Sequence, residues 1–453
     1  MKKYEYFCKL LLNQSMSAKI QDETFFYRFD KRIVDFVTRH SYRKYQVEGL
    51  ENIPKDGCTI WAVNHTNALM DPLVILTLTR GPKVFVARAD IFKSSRFIVK
   101  ALTFLKIMPI YRIRDGLEAV KHNDEIIARC VDVLSDGVPL SIFPEATHRA
   151  KHSLLKLSKG VFHIAFAVEE KMAGTKPVYI QPIGIEYGDY FRFRSTVIAR
   201  FGEPINVSEF VAANSDIPQP VQMQRLREIL TGRMSSLITF VPDDADYDAI
   251  WEYAKLRAGN AEYFAKALAE CEKEAGRSLV GLERNQAVDK YAIREALALR
   301  ENDPKKAAEV FQNIDQQRVW RIQRGVSVHS IAGNTTWKSA LCKSLLLLAG
   351  LPYYLFSVIV CAIVWVPTLF ILSKVDDDAF YNTARMVVRL ALSWIYIIGF
   401  AIAFFSMLPW LPALILTALL LPAYNYFTDY REYSRITLSD FRWLILKRKP
   451  YRF

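Results

Sequence analysis

The sequence predicts an α/β domain, a central mixed β-sheet flanked by helices, followed by a helical region and C-terminal transmembrane helices. Three observations carry that expectation. Between about residues 47 and 205, short apolar runs rich in β-branched and aromatic residues alternate with helical patterns. From about 206 to 335 the chain is polar and helical in pattern. Beyond that, no charged residue occurs from Ser344 to Ser373 or from Leu390 to Thr428, and each run exceeds the roughly 20 residues needed to cross a bilayer.

The lead-in, residues 1–46, interleaves aromatic and basic residues ("FFYRFDKRIVDFVTRHSYRKY"). That texture suits an amphipathic helix on a membrane surface, and equally a helix packed on the next domain. No signal peptide is expected, because the apolar stretch after the basic start is short and interrupted. The strands of the α/β part are expected at "CTIWAV", "KVFVAR", "PLSIFP", "PVYIQPIGI" and "TVIARFG". Helices are expected at "DEIIARCVDVLSDG" and "KLSKGVFHIAFAVEEKMAG", the second closing on Ala-Gly, an ordinary stop.

The polar region 206–335 contains no motif that speaks of chemistry and reads as a helical extension joining the α/β and membrane parts. In the membrane region, 336–430, the first run is expected to form one long, Pro-containing span. The second carries "LPWLP" at 408–412, a natural break, and so reads as two spans or a broken hairpin. The tail, 431–453, ends "LKRKPYRF" and its basic residues favour the cytoplasmic side. With both soluble ends there, crossings must be even in number. Three hydropathic legs break that parity, so one leg is re-entrant or the orientation differs.

Composition narrows the function classes. Lys and Arg number 60 against 47 Asp and Glu, a net charge of +13. Alongside membrane runs, a negatively charged leaflet is the natural electrostatic partner, and no nucleic-acid motif accompanies the charge. The six cysteines are scattered without Cys-x-x-Cys pairs and read as reduced thiols, consistent with a cytosolic face. The apolar segments lack the internal charges of a transport pathway. A Gly-x-Ser-x-Gly elbow is absent, which argues against a serine hydrolase.

Two strand ends carry the chemistry. In "AVNHTNALMDPLVIL", Asn64 and His65 follow a buried strand, where open α/β sheets place ligand sites. Asp71 is expected to cap the next helix, with Pro72 at its first position. Residues six apart on one helix point about 120° away from each other, so a loop must bring imidazole and carboxylate together. The alternative is a capping Asp and an unrelated loop His. If they meet, His65 can take a hydroxyl proton while Asp71 fixes its tautomer. In "LSIFPEATHRAKHSLLKLSKG", Glu145 closes another strand and is followed by Thr147, His148, Arg149 and Lys151. Arg112 and Arg114 follow the apolar segment of "FLKIMPIYRIRDG". Basic residues at successive strand ends suit an anionic headgroup, to which Arg offers a bidentate fork. His148 and His152, four apart, could share a helix face for a metal, but two ligands without a third read as surface histidines.

These segments resemble the glycerolipid acyltransferase family, which includes glycerol-3-phosphate and lysophosphatidic acid acyltransferases. "NHTNALMD", "MPIYR" with Arg112, "FPEATHR" and "VYIQPIGI" with Pro182 resemble its four blocks in order, over about residues 45–205. "SKGVFHIA" resembles the Lys-Gly helix after the third block. Four departures stand out. The His–Asp spacing is one residue longer than usual and resembles a branch that includes fungal-type glycerol-3-phosphate acyltransferases. Ala146 replaces the usual Gly, His148 the usual Arg, and Lys106 stands near the second block's Gly.

The resemblance implies a glycerolipid-acyltransferase-like fold and the transfer of an acyl group from acyl-CoA or acyl carrier protein to glycerol-3-phosphate or lysophosphatidic acid. His65 and Asp71 are then catalytic. Asn64, Arg112, Glu145, Thr147, His148 and Arg149 form the substrate site, without metal or cofactor. Partners would be the acyl donor, a phosphorylated glycerol acceptor and membrane lipid, not nucleic acid. The chain would be an integral membrane protein with its catalytic domain on the cytoplasmic face. The alternatives are another lysolipid acceptor, or a catalytically silent lipid-binding membrane protein.

Overall fold

Strand β2 (Cys58–Val63) is buried at every residue, as its uninterrupted apolar run requires of a strand covered on both faces. The computed structural model describes residues 19–88, 102–110, 123–172, 174–333 and 335–446. Around β2 are β1 (Lys44–Glu48), β3 (Val84–Arg88), β4 (Ile107–Ile110), β5 (Leu140–Ile142), β6 (Val178–Tyr187) and β7 (Thr196–Phe201). Their order is β1-β7-β6-β2-β5-β3-β4, and the short β8 (Ile205–Asn206) pairs with β6. β6, β2, β5, β3 and β4 run parallel, and β7 turns antiparallel to β6 with β1 parallel beside it. The sheet is mixed, as expected. β1 begins before residue 47, so the α/β domain takes in the last residues assigned to the lead-in.

The period-two alternation of each strand sorts its side chains into two cores. Cys58, Ile60 and Ala62 face one side with α3 (Asn123–Ser135), α4 (Gly160–Met172) and α6 (Gln219–Leu237). Trp61 and Val63 face the other, with α1 (Phe25–His40) and α2 (Met70–Leu78). Helix α1 fits both readings of the lead-in. Tyr27, Lys31, Val34 and Thr38 are buried, while Phe25, Phe26, Phe29 and Phe36 are exposed. Beyond α2, the buried Lys83 donates to the carbonyls of Leu76, Thr79 and Gly81 at 3.2, 2.6 and 2.8 Å, satisfying groups a helix end leaves open. Burial pushes its ammonium down to about 7.

After β8 and α5 (Val207–Ala213), helices α6, α7 (Tyr247–Gly259), α8 (Ala261–Ala275), α9 (Leu282–Asn302), α10 (Pro304–Gln323) and α11 (Val328–Ala332) make the helical region. Ile250, Ala254, Ile293, Ala296, Phe311 and Ile314 give it a core of its own.

The first apolar run is not one span. Helix α12 (Trp337–Val360) breaks at Cys361, and α13 (Ala362–Leu372) follows. The prolines that suggested a kinked single helix, Pro352 and Pro367, lie inside these two helices rather than at the break. The second run breaks as expected, between α14 (Tyr381–Met407) and α15 (Trp410–Leu446). Among the described residues three helices, Trp337–Val360, Asp378–Met407 and Trp410–Leu446, are long and apolar enough to cross a membrane. Helix α13, at 11 residues, is about 16 Å long and too short.

Contacts fix the path. Trp337 meets Phe441, Gly350 accepts from Tyr426, and Leu419 accepts from Tyr353, so α12 runs antiparallel to α15. The link after α13 returns to the α/β domain, where Asp377 meets His148. Helix α14 leaves from there and α15 comes back. The apolar helices thus make four legs, out, back, out and back, of which α13 is too short to cross. The tail is also corrected. Residues 431–446 continue α15, anchored by Asp429 to Arg43 and Arg194 and by Ser439 and Asp440 to Ser330.

Candidate active site

Parallel pairing of β2 with β5, Ala62 opposite Ile142, sets the loops that follow the two strands side by side. This is why His65 and Glu145, far apart in sequence, become neighbours. Asp71 is fully buried. It does not cap α2. The cap position is Leu69, and Asp71 lies in the first helical turn. Its carboxylate instead reaches back over the loop. Oδ2 accepts from Thr66 N at 2.7 Å, Asn67 N at 2.8 Å and His65 Nδ1 at 2.8 Å. Oδ1 accepts from the Tyr187 hydroxyl at 2.7 Å. The loop winds tightly enough that Ala68 takes φ 40°.

A carboxylate can only accept, so His65 carries its proton on Nδ1 and keeps a lone pair on Nε2. The ring stacks on Phe143, centroids 4.4 Å apart, and its side chain is 17% exposed. Nε2 makes no hydrogen bond among the described residues. Burial, and then the Asp71 charge, push the Tyr187 hydroxyl far up, so it stays a neutral donor to Asp71.

Several residues expected to touch substrate are engaged elsewhere. Asn64 bonds both ways to the backbone of Ile185, Nδ2 to O at 2.9 Å and Oδ1 from N at 2.6 Å. Glu145 accepts from His65 N at 2.8 Å and Leu155 N at 2.7 Å, one oxygen to each loop. Burial pushes its carboxyl up. Arg149 pairs with Asp243 and donates to Ser153 at 2.8 Å, while Lys151 meets Asp243 at 2.7 Å. In this structure strand-end backbone satisfies Asn64, two loop N–H groups satisfy Glu145, and a nearby carboxylate pairs with Arg149. Thr147 is exposed. Arg112 and Arg114 lie outside the described residues.

His148 does face the site. Its ring meets His65 edge-on at 5.5 Å and Phe380 at 5.5 Å, and Nε2 lies 2.9 Å from Asp377 Oδ2. That bond, and then the Ala379 N–H, hold the Asp377 carboxyl below its usual range. His148 and His152 share no helix, since residues 146–158 form an irregular loop. His152 is buried against Trp251, centroids 3.8 Å apart, its N–H donating to the Tyr247 hydroxyl at 2.8 Å. No cluster of His, Cys, Asp or Glu that could hold a metal occurs among the described residues. Two departures from the usual motif share a geometry. Ala146 has φ 59° and Lys106 φ 60°, the left-handed region that favours glycine.

Tyr187, Asn67, Asp243 and Asp377 were not expected at the site. Asn67 was legible as a polar residue within the His–Asp loop. The others come from distant segments with no local signal.

Residues 44–186 match a family model described as Acyltransferase. That stretch is less than half of the chain, and it is similar to the glycerolipid acyltransferases. Over 142 residues, 31% of this chain, the domain is 25% identical to the chloroplastic 1-acyl-sn-glycerol-3-phosphate acyltransferase LPAT1 of Arabidopsis thaliana, covering 37% of that protein. Against the chloroplastic BAT2 enzyme of Brassica napus the identity is also 25%, covering 39%. The chain thus spans less than half the length of these relatives. The crystal structure of the lysophosphatidic acid acyltransferase PlsC from Thermotoga maritima aligns with 51% of this chain and 88% of its own, at 19% identity and TM-score 0.34, a likeness too slight to build on.

Proposed function

We propose that the protein transfers a fatty acyl group from a thioester, acyl-CoA or acyl carrier protein, to a hydroxyl of glycerol-3-phosphate or lysophosphatidic acid. It does so as an integral membrane enzyme with its catalytic domain on the cytoplasmic face. The long His–Asp spacing supports the reading that it belongs to the branch with the longer loop. The observation that carries the reading is the 2.8 Å bond from His65 Nδ1 to a fully buried carboxylate, which leaves Nε2 free at the end of a central strand.

His65 Nε2 takes the acceptor's hydroxyl proton as its oxygen attacks the thioester carbonyl. The tetrahedral species collapses with cleavage of the C–S bond, and the leaving thiolate takes the proton back from the imidazolium. Ester and free thiol result, and Asp71 stabilises the imidazolium between the two steps. With Arg149 held by Asp243, the acceptor phosphate falls to Arg112, with Thr147 and His148 at the mouth of the site.

The test is thiol release from palmitoyl-CoA by the full-length protein in detergent, with glycerol-3-phosphate, lysophosphatidic acid or no acceptor, beside His65→Ala. Acceptor-dependent release lost in the variant supports the reading, and the preferred acceptor names the step. Release indifferent to acceptor would make the protein a thioesterase. Silence with both CoA and carrier-protein donors would move the reading to lipid binding without catalysis.

A further inference from the structure

A second cavity lies where the α/β domain meets the apolar helices, and the chemistry above makes no use of it. It encloses about 510 Å³ between the β6–β7 loop, α13 and α15. The β6–β7 loop separates it from the active site. Tyr190 faces His65's loop, its carbonyl held by Asn67 at 2.9 Å, while Phe191 to Arg194 line the cavity.

Its charge is lopsided, with six arginines against three carboxylates. Asp429 takes Arg43 and Arg194, and Glu432 takes Arg192 and Arg435. Asp189 turns inward and accepts from the main-chain N–H groups of Phe191 and Arg192, both at 3.0 Å. The acids are therefore committed. Arg385 donates to the Phe191 carbonyl and Asn382, and Arg431 lies over the Phe427 ring at 5.4 Å. Neither makes an ion pair among the described residues. Arg192 Nε is buried there without a hydrogen-bond partner among the described residues.

The opposite wall is apolar: Trp365, Leu369 and Leu372 of α13, and Phe427 of α15. It continues into helix faces where Ile363, Val366 and Phe370 are exposed. Surplus arginine at one end and a lipid-facing wall at the other fit an anionic amphiphile. A free inorganic anion would leave the apolar wall unused.

We propose that this cavity binds the phosphate-bearing headgroup of an anionic diacyl phospholipid of the surrounding membrane, at a site separate from His65. Arg385 and Arg431 hold the phosphate, and the acyl chains lie along α13 and α15.

Trp365 reports on the site. The full-length protein is reconstituted in phosphatidylcholine vesicles carrying brominated phosphatidylglycerol or brominated phosphatidylcholine at equal mole fraction. The Trp365 signal is taken as the difference from Trp365→Phe. Two arginines without ion pairs among the described residues, at about fivefold each beside anionic lipid, predict roughly a 25-fold lower half-quenching fraction for the anionic lipid. Arg431→Gln should cut that preference about fivefold, and adding Arg385→Gln should bring it near unity. Equal quenching by both lipids, an unchanged preference in Arg431→Gln, or loss of the preference to competing inorganic phosphate would each overturn the proposal. The readout needs no catalysis, so it stands or falls apart from the acyl-transfer reading.

Discussion

Replacing Asp71 by Asn separates the charge of the buried carboxylate from its shape. The main-chain N–H groups of Thr66 and Asn67 both aim at Oδ2, at 2.7 and 2.8 Å. An asparagine must therefore set its oxygen there and turn its NH2 toward Tyr187, whose hydroxyl can rotate to accept. His65 keeps an acceptor for its Nδ1 proton, so the tautomer survives. What goes is the negative charge facing the imidazolium. A hydrogen bond to a charged group contributes about 1.5–3 kcal/mol, against about 1 for a neutral one. At tenfold per 1.36 kcal/mol, the difference of about 0.5–2 kcal/mol gives a kcat loss on the order of 2- to 30-fold. KM should hold, since Asp71 has no exposed surface on which to meet a substrate. The assay is steady-state thiol release by Asp71→Asn in detergent, with thermal unfolding as a folding control. A kcat within twofold of wild type would refute the electrostatic role. A loss near the roughly 10⁴-fold of a reversed tautomer, in a folded protein, would refute the claim that the loop dictates the amide's orientation.

Glu145→Gln retains one carbonyl oxygen for two main-chain donors, leaving His65 N–H or Leu155 N–H facing an NH2 group. Stability should drop by about 1–3 kcal/mol, with lower activity, both read on the purified variant. His152, set at about 4 by burial against the pull of Glu186, prefers to be neutral in the folded protein. Wild type should lose stability as pH falls from the unfolded value of about 6.5 to the folded value of about 4, by up to about 3 kcal/mol. His152→Phe should flatten that slope in thermal unfolding, and an identical slope would remove His152 as its source. Ala146→Gly relieves a positive φ at the cost of chain entropy, so it should leave stability unchanged or raised by up to about 1 kcal/mol. A loss equal to that of an ordinary Ala→Gly would show no strain at that turn.

Strands β2, β3, β5, β6 and β7 were legible because burial on both faces writes itself locally, as unbroken β-branched and aromatic runs. The His–Asp pair was legible because one short loop contains both partners. Asp-Pro before an apolar run carries the signature of a helix cap, yet the Asp71 carboxylate answers to donors upstream in the loop and to Tyr187 across the sheet. Asn64 and Glu145 illustrate the opposite limit. A polar residue at a strand end looks the same in sequence whether it waits for a ligand or holds a neighbouring loop. Only the adjacency of β6 to β2 assigns Asn64 to Ile185. The break at Cys361 has no Pro or Gly to announce it, and its cause is tertiary: α13 has to return to the α/β domain.

That return gives the membrane helices a place in the active site itself. The loop bearing His148 and Arg149 has no regular structure and is held from two sides. The helical region grips it through Asp243, Tyr247 and Trp251. The link between α13 and α14 grips it through Asp377 and Phe380. Asn382, at the start of α14, donates to the same Tyr190 carbonyl that anchors Asn67 of the His65 loop. A segment between two apolar helices thus touches the His148 loop directly and shares the Tyr190 carbonyl with Asn67 of the His65 loop. The apolar helices therefore brace the loops around His65.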